Sequence, residues 1–202
     1  MLAEIPLFPL RSVLFPRGRL ALQIFERRYI DLVTASLRDN TGFGIALLKS
    51  GQEVIKPGRR QTVHRTGTYA RIVDWDQLDN GLLGITVEGT RKFRVQTCRV
   101  ADNDLLIAKV AFSDHDTVEE APIPLAEQYP GMTELLQVLE QHPAVEHLRL
   151  DVDHDNLWDV GWRLSELIPV ELETRQKLLE VDDPWERLRM IEQTVFELAN
   201  EG

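Results

Sequence analysis

Three prolines, Pro6, Pro9 and Pro16, interrupt "EIPLFPLRSVLFPRGRLALQIF" (residues 4–25), a stretch that is otherwise almost wholly apolar. So many Ile, Leu and Phe side chains have no use in a surface loop, so the segment must bury them. A central β-strand accepts proline poorly, because each ring removes a ladder donor. Pro6 and Pro9 lie an odd number of residues apart, so their missing N–H groups face opposite sides of a strand. The run is therefore expected to form short, interrupted strand, at an edge or bending between two pairings.

The rest of the first half also reads as strands. "GFGIALLKS", "GTYARIVDW", "GLLGITVEG", "KFRVQTCRV" and "LLIAKVAF" are β-branched or aromatic runs set off by Gly, Asn and Asp. "DNG" at 79–81 marks a hairpin, because Asn and Gly tolerate positive φ. One helix interrupts, with Tyr29, Ile30, Val33 and Leu37 expected on one face and Asn40 and Gly42 as its stop. Strands this dense suggest a small barrel or closed sheet.

The composition changes at "SDHDTVEEAPIPLAEQYP" (113–130), which is acidic, Pro-rich and aperiodic, and reads as a connector. Helical spacing dominates beyond it. Met132, Leu135, Leu136 and Leu139 form one face, and Leu157, Val160, Gly161, Leu164 and Ile168 another. "ELETRQKLLE" is a third helix, and "DDPWERL" opens a fourth, with Asp183 as cap, Pro184 in the first turn and a stripe of Leu188, Ile191, Val195 and Leu198. Charge divides the same way. Residues 1–112 hold 17 Lys and Arg against 11 Asp and Glu, hence +6; the remainder holds 6 against 22, hence −16. Two units are expected, at 1–117 and 118–202, with different surfaces.

Little in the chain points to catalysis. "DVDHDNLWDVGW" (151–162) puts Asp151, Asp153 and Asp155 at the first, third and fifth places of a calcium loop. Asn156 replaces the turn glycine, however, and Trp162 the bidentate Glu, so the acids read as the lead-in to a helix N-terminus. The histidines at 64, 115, 142, 147 and 154 show no ligand spacing, and there is neither HExxH nor CxxC, so no metal site is expected. GxSxG, the GxxxxGK[ST] phosphate loop and a helix-opening GxGxxG are all missing. These features predict a protein that is not an enzyme and takes no cofactor. The single cysteine, Cys98, permits no internal disulfide, which fits a reducing cytoplasm; it reads as a buried or half-buried strand thiol. No apolar run reaches the roughly 18 residues of a membrane span. Arg59, Arg60, Arg65 and Arg71, with "RKFR" at 91–94, form the basic patch a nucleic acid would use; a solvated strand face is the plainer account.

"IPLFPLRSVLFPRGRLALQIFERRYIDLV" resembles the start of the N-terminal domain of the Lon proteases: Pro9, Leu10 and Arg11 match, as do Phe15 and Pro16, with Gly18 one place late. "HRTGTYARIVDW" (64–75), "GITVEGTRKFRV" (84–95) and "RQKLLEVDDPWERL" are similar to three further family patches, in the family's order. The resemblance implies an α+β fold, with an N-terminal PUA-like pseudo-β-barrel carrying one helix and a C-terminal helical bundle. It also implies a free-standing module, without the ATPase and protease domains, that recognises unfolded or tagged client polypeptides and works beside a protease or chaperone. Nucleic acid is the alternative partner, disfavoured by the −16 of the second half. Contact residues are expected among the aromatics Phe15, Tyr129, Trp158 and Trp162, since aromatic side chains dominate binding hot spots.

Overall fold

The structure is a computed structural model that describes residues 2–54, 61–114, 125, 129–146 and 152–201. The chain divides into two compact units, Met1–Asp114 and His115–Gly202. The boundary expected between 117 and 118 lies outside the described residues, as do Arg59, Arg60, Asp151, His115 and His147. The architecture is mixed, strand-rich in the first unit and helical in the second.

In the first unit the strands are β1 (Leu2–Leu10), β2 (Arg19–Ile24), β3 (Phe43–Ser50), β4 (Thr62–Val63), β5 (Thr66–Gln77), β6 (Leu83–Val100) and β7 (Leu106–Phe112), with helix α1 (Arg27–Asp39) after β2. Hydrogen-bonded neighbours run β1-β7-β6-β5-β3, and a parallel β1–β3 pairing closes this path into a ring. β1 supplies both closing contacts. Residues 2–7 pair antiparallel with β7, and residues 7–10 pair parallel with β3. The strand changes partner at Leu7, so each proline has an open side: Pro6, opposite Ile107, can turn its ring nitrogen away from β7, and Pro9, opposite Ala46, away from β3. Both faces of β1 are buried. Ile5 and Leu7 pack with Ala46, Phe93, Ala108 and Val110, whereas Phe8 and Leu10 join Tyr29, Leu32 and Val33 of α1 in a second cluster. Burial on both sides is why the alternation of polar and apolar residues fails there.

Pro16 serves a turn. The Gly18 N–H donates to the Phe15 carbonyl at 3.0 Å, and Arg17 stands between them at φ 61°, a left-handed position where glycine is less strained. The backbone then presses on β6: the Arg17 N–H reaches the Gly89 carbonyl at 2.7 Å, and a Cβ on Gly89 would lie 2.3 Å from the Phe15 carbonyl oxygen. Only glycine fits at 89.

The structure alters two expectations for this unit. "GLLGITVEG" and "KFRVQTCRV" form one 18-residue strand, β6, which bends at irregularities near Gly89 and Val95 instead of breaking. The buried stripe of α1 is Tyr29, Leu32, Val33 and Ser36; Leu37 is exposed and Ile30 half-buried. The helix ends as expected, with Asn40 left-handed at φ 50°. Arg28, nearly buried, locks its start: the guanidinium pairs with Glu26 at 3.0 Å and donates to the carbonyls of Asp104 and Glu53.

The second unit contains α2 (Pro130–Glu140), α3 (Pro143–Glu146), α4 (Leu157–Leu167), α5 (Leu172–Glu180) and α6 (Pro184–Glu201). Asn156 caps α4, its side-chain oxygen accepting from the N–H groups of Trp158 and Asp159 at 3.0 and 3.2 Å. Asp183 accepts from the Trp185 N–H at the start of α6, ahead of Pro184 at its first position. The stripe of α6 is buried at Leu188 and Ile191, thins at Val195 and is exposed at Leu198. Among the described residues no helix is long and apolar enough to cross a membrane.

Candidate functional site

Of the four aromatics singled out in the sequence, three lie in packed interiors. Phe15 is fully buried at the proline turn of the first unit. Trp158 and Trp162 are 7% and 2% exposed, one turn apart on α4, with ring centroids 5.8 Å apart. Arg187 of α6 completes that cluster: its guanidinium carbon lies 3.3 Å from the Trp162 centroid and 5.1 Å from that of Trp158, and it donates to the carbonyls of Leu178 and Val181. Tyr129 is half-buried and pairs with Trp185, centroids 5.9 Å apart. The structure thus brings Trp158 and Trp162 together, while Tyr129 stands with a different partner and Phe15 in the other unit.

Large aromatic surface is exposed elsewhere, on a sheet that the sequence did not single out. Along residues 83–88, β6 has β2 on one side and β5 on the other. Directly paired residues share a face. One face carries Leu20, Leu22 and Ile24 of β2 with Leu83, Ile85 and Val87 of β6, and packs on the core of the unit. The other carries Ala21, Thr86 and Asp74 in one row and Gln23, Gly84 and Asp76 in the next. A groove of about 240 Å³ crosses the three strands, lined by these residues and by Leu22, Trp75, Leu78 and Ile85. Trp75, in register with Ile85 and so on the face of Leu22 and Ile85, lines the groove and is 60% exposed, and Phe25, just beyond β2, is 56% exposed. "DWD" is the signal that could have found it: a tryptophan flanked by carboxylates in a strand has polar neighbours along the chain and sits at a surface.

The two outer edges of this sheet differ chemically. On β5, the Trp75 and Gln77 N–H groups each donate to the carboxylate of the preceding residue, Asp74 at 2.9 Å and Asp76 at 2.7 Å. On β2, no such cap is found among the described residues.

The other candidates settle into structural roles. In the acidic stretch, Asp153 accepts from the Asp155 N–H at 3.1 Å, and Asp159 accepts from the Asp153 N–H at 3.2 Å, so these carboxylates order the entry to α4. Among the described residues no group of three or more His, Cys, Asp or Glu is placed to hold a metal ion. Cys98 lies on the exposed outer part of β6, not in the interior, and desolvation pushes its thiol above the ordinary value, the opposite of an activated nucleophile. "RKFR" does not make a basic–aromatic face: Phe93 and Lys92 are buried, and Arg91 stacks on Phe112 at 4.0 Å. Arg94 remains exposed. The exposed Arg71 pairs in register with Glu88, which also holds Arg19 at 2.9 Å.

Comparison with known proteins adds a family. Residues 4–195 match the family described as the ATP-dependent protease La (LON) substrate-binding domain. The fold is similar to the crystal structure of a Lon N-terminal domain protein from Xanthomonas campestris, with a TM-score of 0.72 and 36% identity over 95% of this chain and 98% of that one. The N-terminal domain of a Mycobacterium avium complex Lon protease shares the fold at a TM-score of 0.64 and 16% identity, over 94% of this chain and 96% of that one. Among curated relatives, the Lon proteases of Cytophaga hutchinsonii and Brevibacillus choshinensis are 26% and 24% identical over 91% and 93% of this chain. The chain spans about a quarter of their length, 23% and 24%. The matched part is the substrate-binding region.

Proposed function

The chain belongs to the substrate-binding domain family of the ATP-dependent protease La (LON), a proteolysis-related family with bacterial members, and we propose that it is a non-catalytic module holding extended or unfolded polypeptide. The observation that carries this reading is the exposed Trp75 lining an open groove, in a chain matched to a substrate-binding family from residue 4 to 195. Exposed tryptophan at a concave surface provides non-polar contact area at little entropic cost, which suits clients that share no sequence. We read the closed ring of strands as PUA-like and the helices of the second unit as a bundle; the β1–β3 pairing supports the first of these. The partners in this reading are client polypeptides and a protease that receives them, in the cytoplasm, where one unpaired cysteine is at home.

The test is a titration with reduced, carboxymethylated α-lactalbumin, which cannot fold, followed by tryptophan fluorescence and anisotropy at low and high salt. Binding that persists at high salt is expected, because the contacts are apolar. Absence of binding to the unfolded chain, with tight binding to RNA that collapses as salt rises, would replace this reading by a nucleic-acid one.

A further inference from the structure

Hydrogen-bond parity along the central sheet fixes which backbone groups of β2 are in use. Opposite the turn at 15–18, the Gly89 N–H donates to the Gly18 carbonyl at 2.9 Å, so this pair is bonded across the ladder. Bonded pairs recur at every second residue of an antiparallel ladder. Leu20 with Val87, Leu22 with Ile85 and Ile24 with Leu83 are therefore the bonded pairs. Arg19, Ala21 and Gln23 point their N–H and C=O groups away from β6. On the far side, the Leu78 N–H donates to the Leu82 carbonyl at 2.9 Å, which makes Asp76 with Gly84 and Asp74 with Thr86 the bonded pairs there. The outward amides of β5 are those of Trp75 and Gln77, the two that Asp74 and Asp76 cap. One edge is thus closed against strand pairing by its own side chains, a common protection of exposed edges. The other edge is left unprotected: Ala21 and Gln23 are exposed, and β2 pairs with β6 alone among the described residues.

We propose that the outer edge of β2 takes up an extended polypeptide segment as an added β-strand, through the main-chain groups of Ala21 and Gln23. The inference rests on the polypeptide-binding reading above and specifies its chemistry: a backbone recognised by backbone, whatever its sequence. A row of free N–H and C=O groups at the spacing of a strand complements another extended chain and little else. The small side chain of Ala21 leaves the rim of the groove open, so a side chain of the added strand can lean over it towards Gly84 and Thr86. A second copy of this chain is the poorer occupant. Three outward-facing residues make a contact far below the roughly 1,200 Å² that stable pairs of folded proteins bury, which fits a client held briefly.

Hydrogen exchange on the intact protein, read by NMR with reduced, carboxymethylated α-lactalbumin as probe, tests this without any substitution. The Ala21 and Gln23 amides should exchange fast in the free protein and at least about tenfold slower at saturation. The Leu20 and Leu22 amides should be slow in both states. Gln23→Pro removes one outward donor and no ladder bond, a placement that edge strands tolerate, and should weaken binding about tenfold with an unchanged melting temperature. If that variant fails to fold, Ala21→Pro and the exchange data on the unaltered protein decide. Tight binding with unprotected Ala21 and Gln23 amides would overturn the edge proposal while leaving the polypeptide-binding reading intact. No binding of the unfolded probe would overturn both. Concentration-dependent self-association that Gln23→Pro abolishes would overturn it in favour of a second copy.

Discussion

Two tryptophan environments in this protein are near opposites. Trp158 and Trp162 lie on α4 against the guanidinium of Arg187, among residues buried on nearly every side of the helix. Trp75 stands on the β2–β6–β5 part of the sheet with most of its surface in solvent, between two aspartates that accept from its own N–H and from that of Gln77. The same residue type is a packing element in one region and available surface in the other. What separates them is local spacing. A pair four residues apart on a helix already rich in apolar positions has nowhere to go but inward, whereas one aromatic set among carboxylates in a strand is held out.

The contrast can be broken by substitution. Trp162→Ala should cost about 3–5 kcal/mol of unfolding free energy, because it empties a large buried site and strips the stacked face from Arg187. A loss under 1 kcal/mol in chemical denaturation would mean that the helix is not packed as described. Arg187→Lys should cost about 2–3 kcal/mol despite keeping the charge, since an ammonium can neither stack on Trp162 nor fork to the Leu178 and Val181 carbonyls. Thermal melts of that variant beside Arg187→Ala would show whether charge or planar geometry matters. Trp75→Ala should leave stability within about 0.5 kcal/mol and weaken unfolded-chain binding about tenfold, close to 1.4 kcal/mol; unchanged binding would remove Trp75 from the site. The smallest effect belongs to Asp76→Ala. It uncaps the Gln77 amide for a few tenths of a kcal/mol and should appear chiefly as faster aggregation at high concentration, measured by light scattering, because a second edge has been opened.

How far the sequence carried the fold depended on how local each cause was. Pro6 and Pro9 announced a strand that changes sides, and β1 does so at Leu7. The cap at Asp183, the left-handed Asn40 and the hairpin around Gly81 rest on a few adjacent residues and were legible for that reason. The fusion of two runs into β6 was not, because a bulge and a break carry the same Gly-Thr punctuation, and only pairing with β2, β5 and β7 distinguishes them. Nor was the burial of Lys92 legible, since charge alone suggests solvent. The candidate site was legible least of all. It depends on which strand edges remain unpaired once the sheet is assembled, a property of the whole ladder that no single segment encodes. Aromatic content pointed to α4, where burial had already claimed it.

The partner switch in β1 also bears on how the protein is made. β1 leaves the ribosome before either of its partners: its parallel partner β3 begins at residue 43 and its antiparallel partner β7 at residue 106. At roughly 5–20 residues per second, about a hundred residues of synthesis separate the emergence of this doubly apolar strand from that of the strand that completes its pairing. For several seconds the nascent chain carries an unpartnered, sticky segment. Pro6 and Pro9 are present throughout that interval, each deleting a donor on a different side, so the waiting strand cannot offer an unbroken edge to a neighbouring nascent chain. The residues that let β1 change partners in the finished sheet thereby act as gatekeepers during translation.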